Sequence, residues 1–287
     1  DELDCSTTFT KVCAVNCGCS EWSEDYPACD GEPIATEAAC VSLPSSGAAV
    51  DVTSNDDRAF VLDSGGNLFA VELDGPRKFT MSGSVLVAPD GVTVAVAGDR
   101  PYVAAGPYGA HVVDAANPAG MRRLGWLRPP AAFVDAVVDG SLTYVAGYFS
   151  GLHVLDTGDP NTIRQRGEVA LGSGVSRLVK IGNHVWVSSR TTASGGGPGT
   201  NRLRVADVSD PDHPREVTTV DRPARSLATD GRLLFKTNRQ GLNILDPSGG
   251  PTNPVEVGTV TLDRLAECSH IAVSGSRAYV VVFVRQT

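Results

Sequence analysis

Six polar residues recur at one place in a repeating pattern: Asp51, Thr93, Asp135, Arg177, Ser226 and His270. Their chemistries differ while the residues around them repeat. A purely structural role would tolerate one residue type, so the diversity points to a ligand-binding ring. Asp51, Asp135 and His270 offer two carboxylates and an imidazole, a donor set suited to a divalent cation. Arg177 could instead pair with Asp135 and neutralise it. The plainer reading leaves all six as polar groups satisfied by water and backbone. His111 and His153 occupy matching places in adjacent units, which points to a repeat-consensus role, while His184 reads as a turn residue and His213 as solvated between two prolines. The patterns GxSxG, HExxH, CxxCH and GxGxxG are absent, so hydrolase, metalloprotease, haem and dinucleotide chemistry lack support. The glycine run 195–199 lacks the Lys-Ser or Lys-Thr of a phosphate loop. The Asp-rich turns 156–159 and 207–212 lack EF-hand spacing. Side-chain to backbone hydrogen bonds of Asp-Pro turns explain them adequately.

The elements that position these residues follow from the repeat. Nine residues after each polar position stands an aromatic: Phe60, Tyr102, Tyr144, Trp186, Phe235 and Tyr279, spaced by 42, 42, 42, 49 and 44. Each unit reads as a short β-branched strand, a tight turn such as Gly98-Asp99 or Asp139-Gly140, and a strand bearing the aromatic. A glycine-rich loop follows, then a third strand ending in Asp, as at His111–Asp114 and His153–Asp156, and a polar fourth strand. Four short antiparallel strands per unit of about 42 residues is the arithmetic of a β-propeller. No helical periodicity competes with it. The pattern predicts an all-β, six-bladed propeller over residues 48–287, preceded by a cysteine-rich segment over residues 1–47. The last unit supplies two strands before Thr287. Either the N-terminal segment supplies the strands that close the ring, with Thr10–Val15 the best candidate, or the last unit is cut short; closure matters because an open propeller exposes β-edges.

The phrases Gly151-Leu-His-Val-Leu-Asp156 and Gly241-Leu-Asn-Ile-Leu-Asp246, with Tyr144-Val-Ala and the Asp-Pro turn after Asp207, resemble the LVIVD-repeat family. The resemblance spans roughly residues 48–287. It implies a β-propeller of the kind found in extracellular or surface proteins of bacteria and archaea, and it says little about activity. The Trp-Asp signature of WD40 repeats and the double glycine of kelch repeats are absent.

In a propeller the first strands line the central channel, and the loops between blades share one face with those between second and third strands. The polar column is therefore expected at one channel mouth, and the same face is expected to carry Tyr108, Tyr148, Phe149, Arg190, Asn238, Arg239 and Gln240. Exposed aromatics beside arginine are the composition of interface anchors. The alternative is that Tyr108 and Phe149 only cover the loop beneath them.

Six of the seven cysteines (Cys5, Cys13, Cys17, Cys19, Cys29 and Cys40) crowd the first 40 residues, and Cys268 stands alone. So little apolar material cannot bury a core, and disulfides are the expected staples, in an oxidising compartment. The close spacing of Cys13, Cys17 and Cys19 leaves zinc as a rival, although no CxxC pair is present. One thiol is left over, or Cys268 bonds back to the N-terminal segment. The net charge of −9 argues against a nucleic-acid partner. No apolar run is long enough for a membrane helix, and the excess of Arg over Lys fits a GC-rich bacterial genome.

The expectation is a non-enzymatic extracellular, periplasmic or cell-surface protein. It would present a propeller face to a protein or glycan, as a free module or as a subunit of an assembly, without a cofactor. The alternative is a metal-dependent hydrolase or lyase with a divalent cation at the channel mouth.

Overall fold

The computed structural model describes residues 11–14, 39–44, 47–75, 78–128, 130, 132–191, 200–220, 224–238, 241–261, 266–274 and 277–284. Two short strands, β1 (Lys11–Ala14) and β2 (Ala39–Ser42), pair antiparallel with Cys13 opposite Cys40. Five four-stranded antiparallel sheets follow. Blade one is β3 (Ala49–Ser54), β4 (Arg58–Asp63), β5 (Asn67–Leu73) and β6 (Phe79–Leu86). Blade two is β7 (Thr93–Ala97), β8 (Arg100–Ala104), β9 (Ala110–Asp114) and β10 (Arg122–Leu127). Blade three is β11 (Phe133–Asp139), β12 (Leu142–Gly147), β13 (Gly151–Asp156) and β14 (Arg164–Val169). Blade four is β15 (Arg177–Ile181), β16 (His184–Thr191), β17 (Thr200–Asp207) and β18 (Arg215–Val220). Blade five is β19 (Leu227–Thr229), β20 (Leu234–Asn238), β21 (Gly241–Asp246) and β22 (Val255–Thr261). A final pair, β23 (Ala266–Ser274) and β24 (Arg277–Val284), is two-stranded. Among the described residues the sole helix is one 3-10 turn at Pro118–Gly120.

In each four-stranded sheet the strands lie in chain order, and the first strands of successive sheets adjoin: β3 with β7, then β11, β15, β19 and β23. That is the blade arrangement of a propeller. The hairpin loops read from the sequence are present. Gly98 and Gly182 each open a two-residue loop at φ 56° and 55°, a conformation that a Cβ resists. His184, expected in such a turn, is instead the first residue of β16, paired with Ile181 and Asp207. Strand β16 runs on to Thr191 and β17 starts at Thr200, and the glycine run between them lies outside the described residues.

The core lies between blades. Phe60, Leu62 and Leu68 of blade one meet Val94, Val103 and Val113 of blade two. Tyr102 and Val112 meet Phe133, Val145 and Leu155 at the next seam, Tyr144 and Leu152 meet Leu178 and Val185 at the third, and Trp186 and Leu203 meet Leu234 and Leu245 at the fourth. Phe60, Tyr102, Tyr144 and Trp186 are buried in these seams, Phe235 is buried against Ile271 of the final pair, and the side chain of Tyr279 lies outside the described set.

A second contact locks the first three seams at their rims. The fourth strand of every four-stranded blade carries a register shift, and beside it stands Gly83, Gly125, Gly167, Thr218 or Gly258. A Cβ on Gly83 would overlap the carbonyl of Pro118 in the next blade, and a Cβ on Gly125 that of Pro160. On Gly167 it would lie 2.6 Å from the carbonyl oxygen of Pro211. The bulge and the bare glycine let the next blade's third-to-fourth-strand loop dock by its backbone. Gly125→Ala should therefore lower the unfolding free energy by about 1–3 kcal/mol through overpacking. Gly140→Asn, in a hairpin loop open to solvent with φ 60°, should change it by less than about 0.5 kcal/mol. Urea unfolding of both variants measures the contrast.

Candidate functional site

The inward strands bring most of the polar column together. Thr93 Oγ1 lies 2.5 Å from Asp51 Oδ2 and 3.3 Å from Asp135 Oδ1. Asp51 Oδ2 also accepts from the backbone N–H of Val94 at 2.8 Å, and Asp135 Oδ2 accepts from that of Leu178 at 2.8 Å. Each carboxylate thus caps the first strand of the following blade at the same 43-residue offset. On the far side, Arg177 Nη2 lies 3.3 Å from His270 Nε2, and Arg177 Nη1 donates to the Ser176 carbonyl. An arginine has only protons to give, so His270 Nε2 is the acceptor and the ring is neutral. Burial and the Arg177 charge lower its pKa, which Asp51 partly offsets. Ser226 is buried apart from these, its N–H and carbonyl joined to Thr237 of its own blade.

This arrangement gives the alternative reading, a cation at the channel mouth, no support among the described residues. Among the described residues no three His, Cys, Asp or Glu side chains converge on a metal position, and Asp51, Asp135 and His270 are no exception. Both carboxylates are committed to neighbouring N–H groups, and the His270 lone pair faces Arg177. What the cluster can do is hold one proton. Burial raises Asp135 to about 6, against the pull of Arg177 and the Leu178 N–H. Thr93 has a single hydroxyl proton and gives it to Asp51 across the shorter contact. A protonated Asp135 can then donate to Thr93, whereas an ionised one must compete for that same proton.

The opposite ends of the inner strands' hairpins hold the aromatic loops. The loop of residues 147–151 places Tyr148 and Phe149 edge to face, with ring centroids 4.6 Å apart, and Phe149 is 71% exposed. Backbone bonds stitch this loop to its neighbours: Tyr148 N–H to Ala132, and Gly174 and Val175 N–H to Tyr148. Arg190 N–H bonds Gly174, while Gly106, in the Tyr108 loop, exchanges two bonds with Phe133. Tyr108, Tyr148, Phe149 and Arg190 therefore sit on a continuous, backbone-braced face, all exposed. Asn238 is bonded inward to Asn243, and Arg239 and Gln240 lie outside the described residues. Sequence reasoning missed Trp126, which is 54% exposed at the end of β10 and stacked on His111, with Arg128 two residues on. Its signal was a large aromatic where the other fourth strands carry Ser84, Glu168, Thr219 and Thr259.

His111 and His153 serve the loops. His111 Nε2 donates to the Tyr108 carbonyl at 3.0 Å, and His153 Nε2 lies 2.6 Å from Ser150 Oγ, each tying the third strand to the residue three before it. Burial lowers both pKa values, and Glu168, 3.4 Å from His153 Nδ1 without hydrogen-bond geometry, only partly opposes this for His153. His213, expected to be solvated, is exposed but holds Asp210 through Nδ1 at 3.0 Å. Of the cysteines, Cys5, Cys17, Cys19 and Cys29 lie outside the described residues, and for Cys13, Cys40 and Cys268 the strand position alone is described.

The other face is built from turns. The third-strand aspartates Asp156, Asp207 and Asp246 each accept from the N–H two residues on, and Asp114, Asp156 and Asp207 also pair with Arg122, Arg164 and Arg215 of the adjacent fourth strand. Bonds from Ser209 and Arg215 hold Asp207 well below the usual carboxylate range. The third and fourth strands of blade four, joined by this turn, carry the decisive segment. Residues 198–222 match the LVIVD repeat. No curated protein matches the chain. Among solved structures, a functionally unknown protein from Desulfotomaculum acetoxidans superposes with a TM-score of 0.64 at 10% identity, covering 79% of this chain and 74% of that one. The β-propeller domain of Cps50 (Swd1) from Myceliophthora thermophila gives 0.63 at 12%, covering 87% and 90%. BamB from Moraxella catarrhalis gives 0.53 at 16%, covering 84% and 68%. At these identities the likeness shows a shared fold. The LVIVD repeat and the propeller architecture thus agree with the sheet order.

Asp135 makes a pH prediction. Its native pKa, about 6, lies above its model-peptide value of 3.8, so the native state binds the proton more tightly. The stabilisation from that proton is complete below about pH 4 and is lost as pH rises through about 6. Asp135→Asn keeps an acceptor for Leu178 N–H and supplies a permanent donor toward Thr93. The stability of the variant relative to wild type should rise by on the order of 2 kcal/mol between pH 4 and pH 8. Urea titrations at a series of pH values measure it, and a flat difference would show that Asp135 is not a proton-holding group.

Proposed function

We propose that the chain is a six-bladed, non-enzymatic scaffold of an extracellular or envelope compartment, and that it binds a protein partner through the loop face at blades two and three. The observation that carries this reading is the Tyr148–Phe149 pair, an apolar knob exposed to solvent on a loop braced by backbone hydrogen bonds from both sides. A rigid, exposed aromatic loses little entropy on docking, which is the property of an interface anchor. The edge-to-face geometry offers a protrusion for a partner's pocket rather than a flat platform for sugar stacking, which favours a protein over a glycan.

Charge supports the same face. On the turn face, Arg58, Arg122, Arg164, Arg166 and Arg215 are each matched to carboxylates. On the loop face, Arg128 and Arg190 have no carboxylate partner among the described residues. Unmatched cations beside exposed aromatics suit a partner surface with an acidic rim. The crowding of cysteines before residue 41 supports an oxidising compartment. Among the described residues no helix is long and apolar enough to cross a membrane.

The test is a pair of variants in envelope extracts. Tyr148→Ser/Phe149→Ser should weaken retention of the bound protein at least roughly 30-fold, the scale of a lost hot spot. Arg190→Glu should slow association and reduce its salt dependence. Circular dichroism should show both variants folded. Retention unchanged in both variants, or binding to a glycan array in place of any protein, would remove the reading.

A further inference from the structure

The third strands of the blades differ at one matching place. Opposite the second-strand residues Val61, Val103, Val145, Val187 and Lys236 stand Phe69, His111, His153, Arg204 and Asn243. Imidazoles, the side chains that change charge between about pH 5 and 8, hold this place in blades two and three. Those are the blades whose loops carry Tyr108, Tyr148 and Phe149. Each imidazole is buried and bonded to its own loop. We propose that His111 and His153 are acid-released latches of the loop face: a proton on either imidazole frees its loop, so the aromatic surface loses its bracing as pH falls. The inference rests on the proposed role of that face and adds its regulation.

The neutral ring is the form that fits. His111 Nε2 donates to the Tyr108 carbonyl at 3.0 Å, which leaves a lone pair on Nδ1. That nitrogen is buried without a hydrogen-bond partner among the described residues, so a second proton there finds no acceptor. Around the ring stand Val103 of β8, and Trp126 and Arg123 of β10. The indole, stacked at 6.1 Å, would attract a cation weakly, and Arg123 would repel it.

His153 is roofed more closely. Its Nε2 lies 2.6 Å from Ser150 Oγ, and a Cβ on Gly147 would lie 2.9 Å from that nitrogen, so the loop backbone rests on the ring. On its other sides are Val145 of β12, the Phe133 ring at 5.3 Å, and Gln165 and Glu168 of β14. Glu168 Oε2 is 3.4 Å from Nδ1 without hydrogen-bond geometry, and it already accepts from Gln165. It offsets part of the penalty of a charge at this place, and burial outweighs it. Hydrating an imidazolium under either loop requires that loop to lift.

The sign of the pH effect follows. Both rings bind a proton less tightly under the closed loop than at the model value of 6.5. The closed loop is therefore most stable above that pH and loses stability as pH falls below it. Lifting breaks the bonds from Tyr148 N–H to Ala132 and from Gly174 and Val175 N–H to the Tyr148 carbonyl, which brace the face. In blade four the matching Arg204 stays charged and is paired with Glu216, and in blade five Asn243 does not titrate. The response is thus confined to the two aromatic loops.

Amide hydrogen exchange on the free, full chain tests this, with each rate divided by the intrinsic rate at the same pH. Protection of the Tyr148, Gly174 and Tyr108 amides should fall at least roughly five-fold between pH 7 and pH 5, under a ceiling of about ten-fold per pH unit for one linked proton. The amides of Val185 and Val187 in blade four should keep theirs. His153→Gln retains a hydrogen-bonding group beside Ser150 and cannot titrate, so it should flatten the profile at Tyr148 and Gly174. His111→Gln should flatten it at Tyr108. Glu168→Gln, which removes the offsetting carboxylate, should deepen the fall at Tyr148. Protection that does not change with pH in the wild type would overturn the inference, as would a fall that survives both histidine variants or that blade four shares. If a histidine variant fails to fold, the wild-type profile and Glu168→Gln still decide. No partner is present in the measurement, so its outcome is separate from partner retention by Tyr148 and Phe149.

Discussion

The middle strands of a blade in this protein are buried on both faces. Along β4 the consecutive residues Phe60, Val61 and Leu62 are all buried, although alternate residues of a strand point to opposite faces. Phe60 and Leu62 enter the seam with blade two, and Val61 enters the cluster on the far side. The same holds for Tyr144, Val145 and Ala146 in β12. Blades two, three and four are each held between two neighbours, and the requirement passes from blade to blade along the chain. The glycine at the fourth-strand bulge serves this requirement, because it lets the loop of one blade settle on the backbone of the last without a side chain holding the seam open.

Packing of this kind also decides what the channel residues do. First strands brought side by side need their inward N–H groups satisfied, and Asp51 and Asp135 meet that need for Val94 and Leu178. A carboxylate spent in this way is a poor metal ligand. The uneven chemistry of the ring reflects a small network in which one threonine stands between two acids and an arginine stands beside a neutral histidine. Variation among otherwise equivalent positions here goes with different partners: Asp51 and Asp135 hold strand N–H groups, Arg177 faces His270, and Ser226 bonds Thr237 of its own blade.

Much of this was legible in the sequence because repetition multiplies weak signals. One buried tyrosine says little, but Phe60, Tyr102, Tyr144 and Trp186 at a 42-residue spacing fix the second strand of each unit. The aspartate turns were legible for the same reason, and their bonds to the N–H two residues on are those expected of Asp in turns. The channel cluster was legible as a set of positions and illegible as chemistry. The groups that bind Asp51 and Asp135 are backbone amides, which no residue letter records. Trp126 escaped because it breaks the repeat instead of following it. His184 was misplaced by one residue, since the two-residue hairpin loop closes earlier than its polar residues suggest.

The turn face has a consequence for how the molecule meets other charged surfaces. Asp114, Asp156 and Asp207 end third strands there, and each is matched by Arg122, Arg164 or Arg215 of the adjacent fourth strand. Arg58 is likewise held by Glu72 and Asp99, and Arg166 by Asp212. The fields of charges paired so closely cancel within the Debye length of about 8 Å at physiological salt. The turns that hold each blade together thus present a self-neutralised surface, which gives a charged partner little to grip on that side.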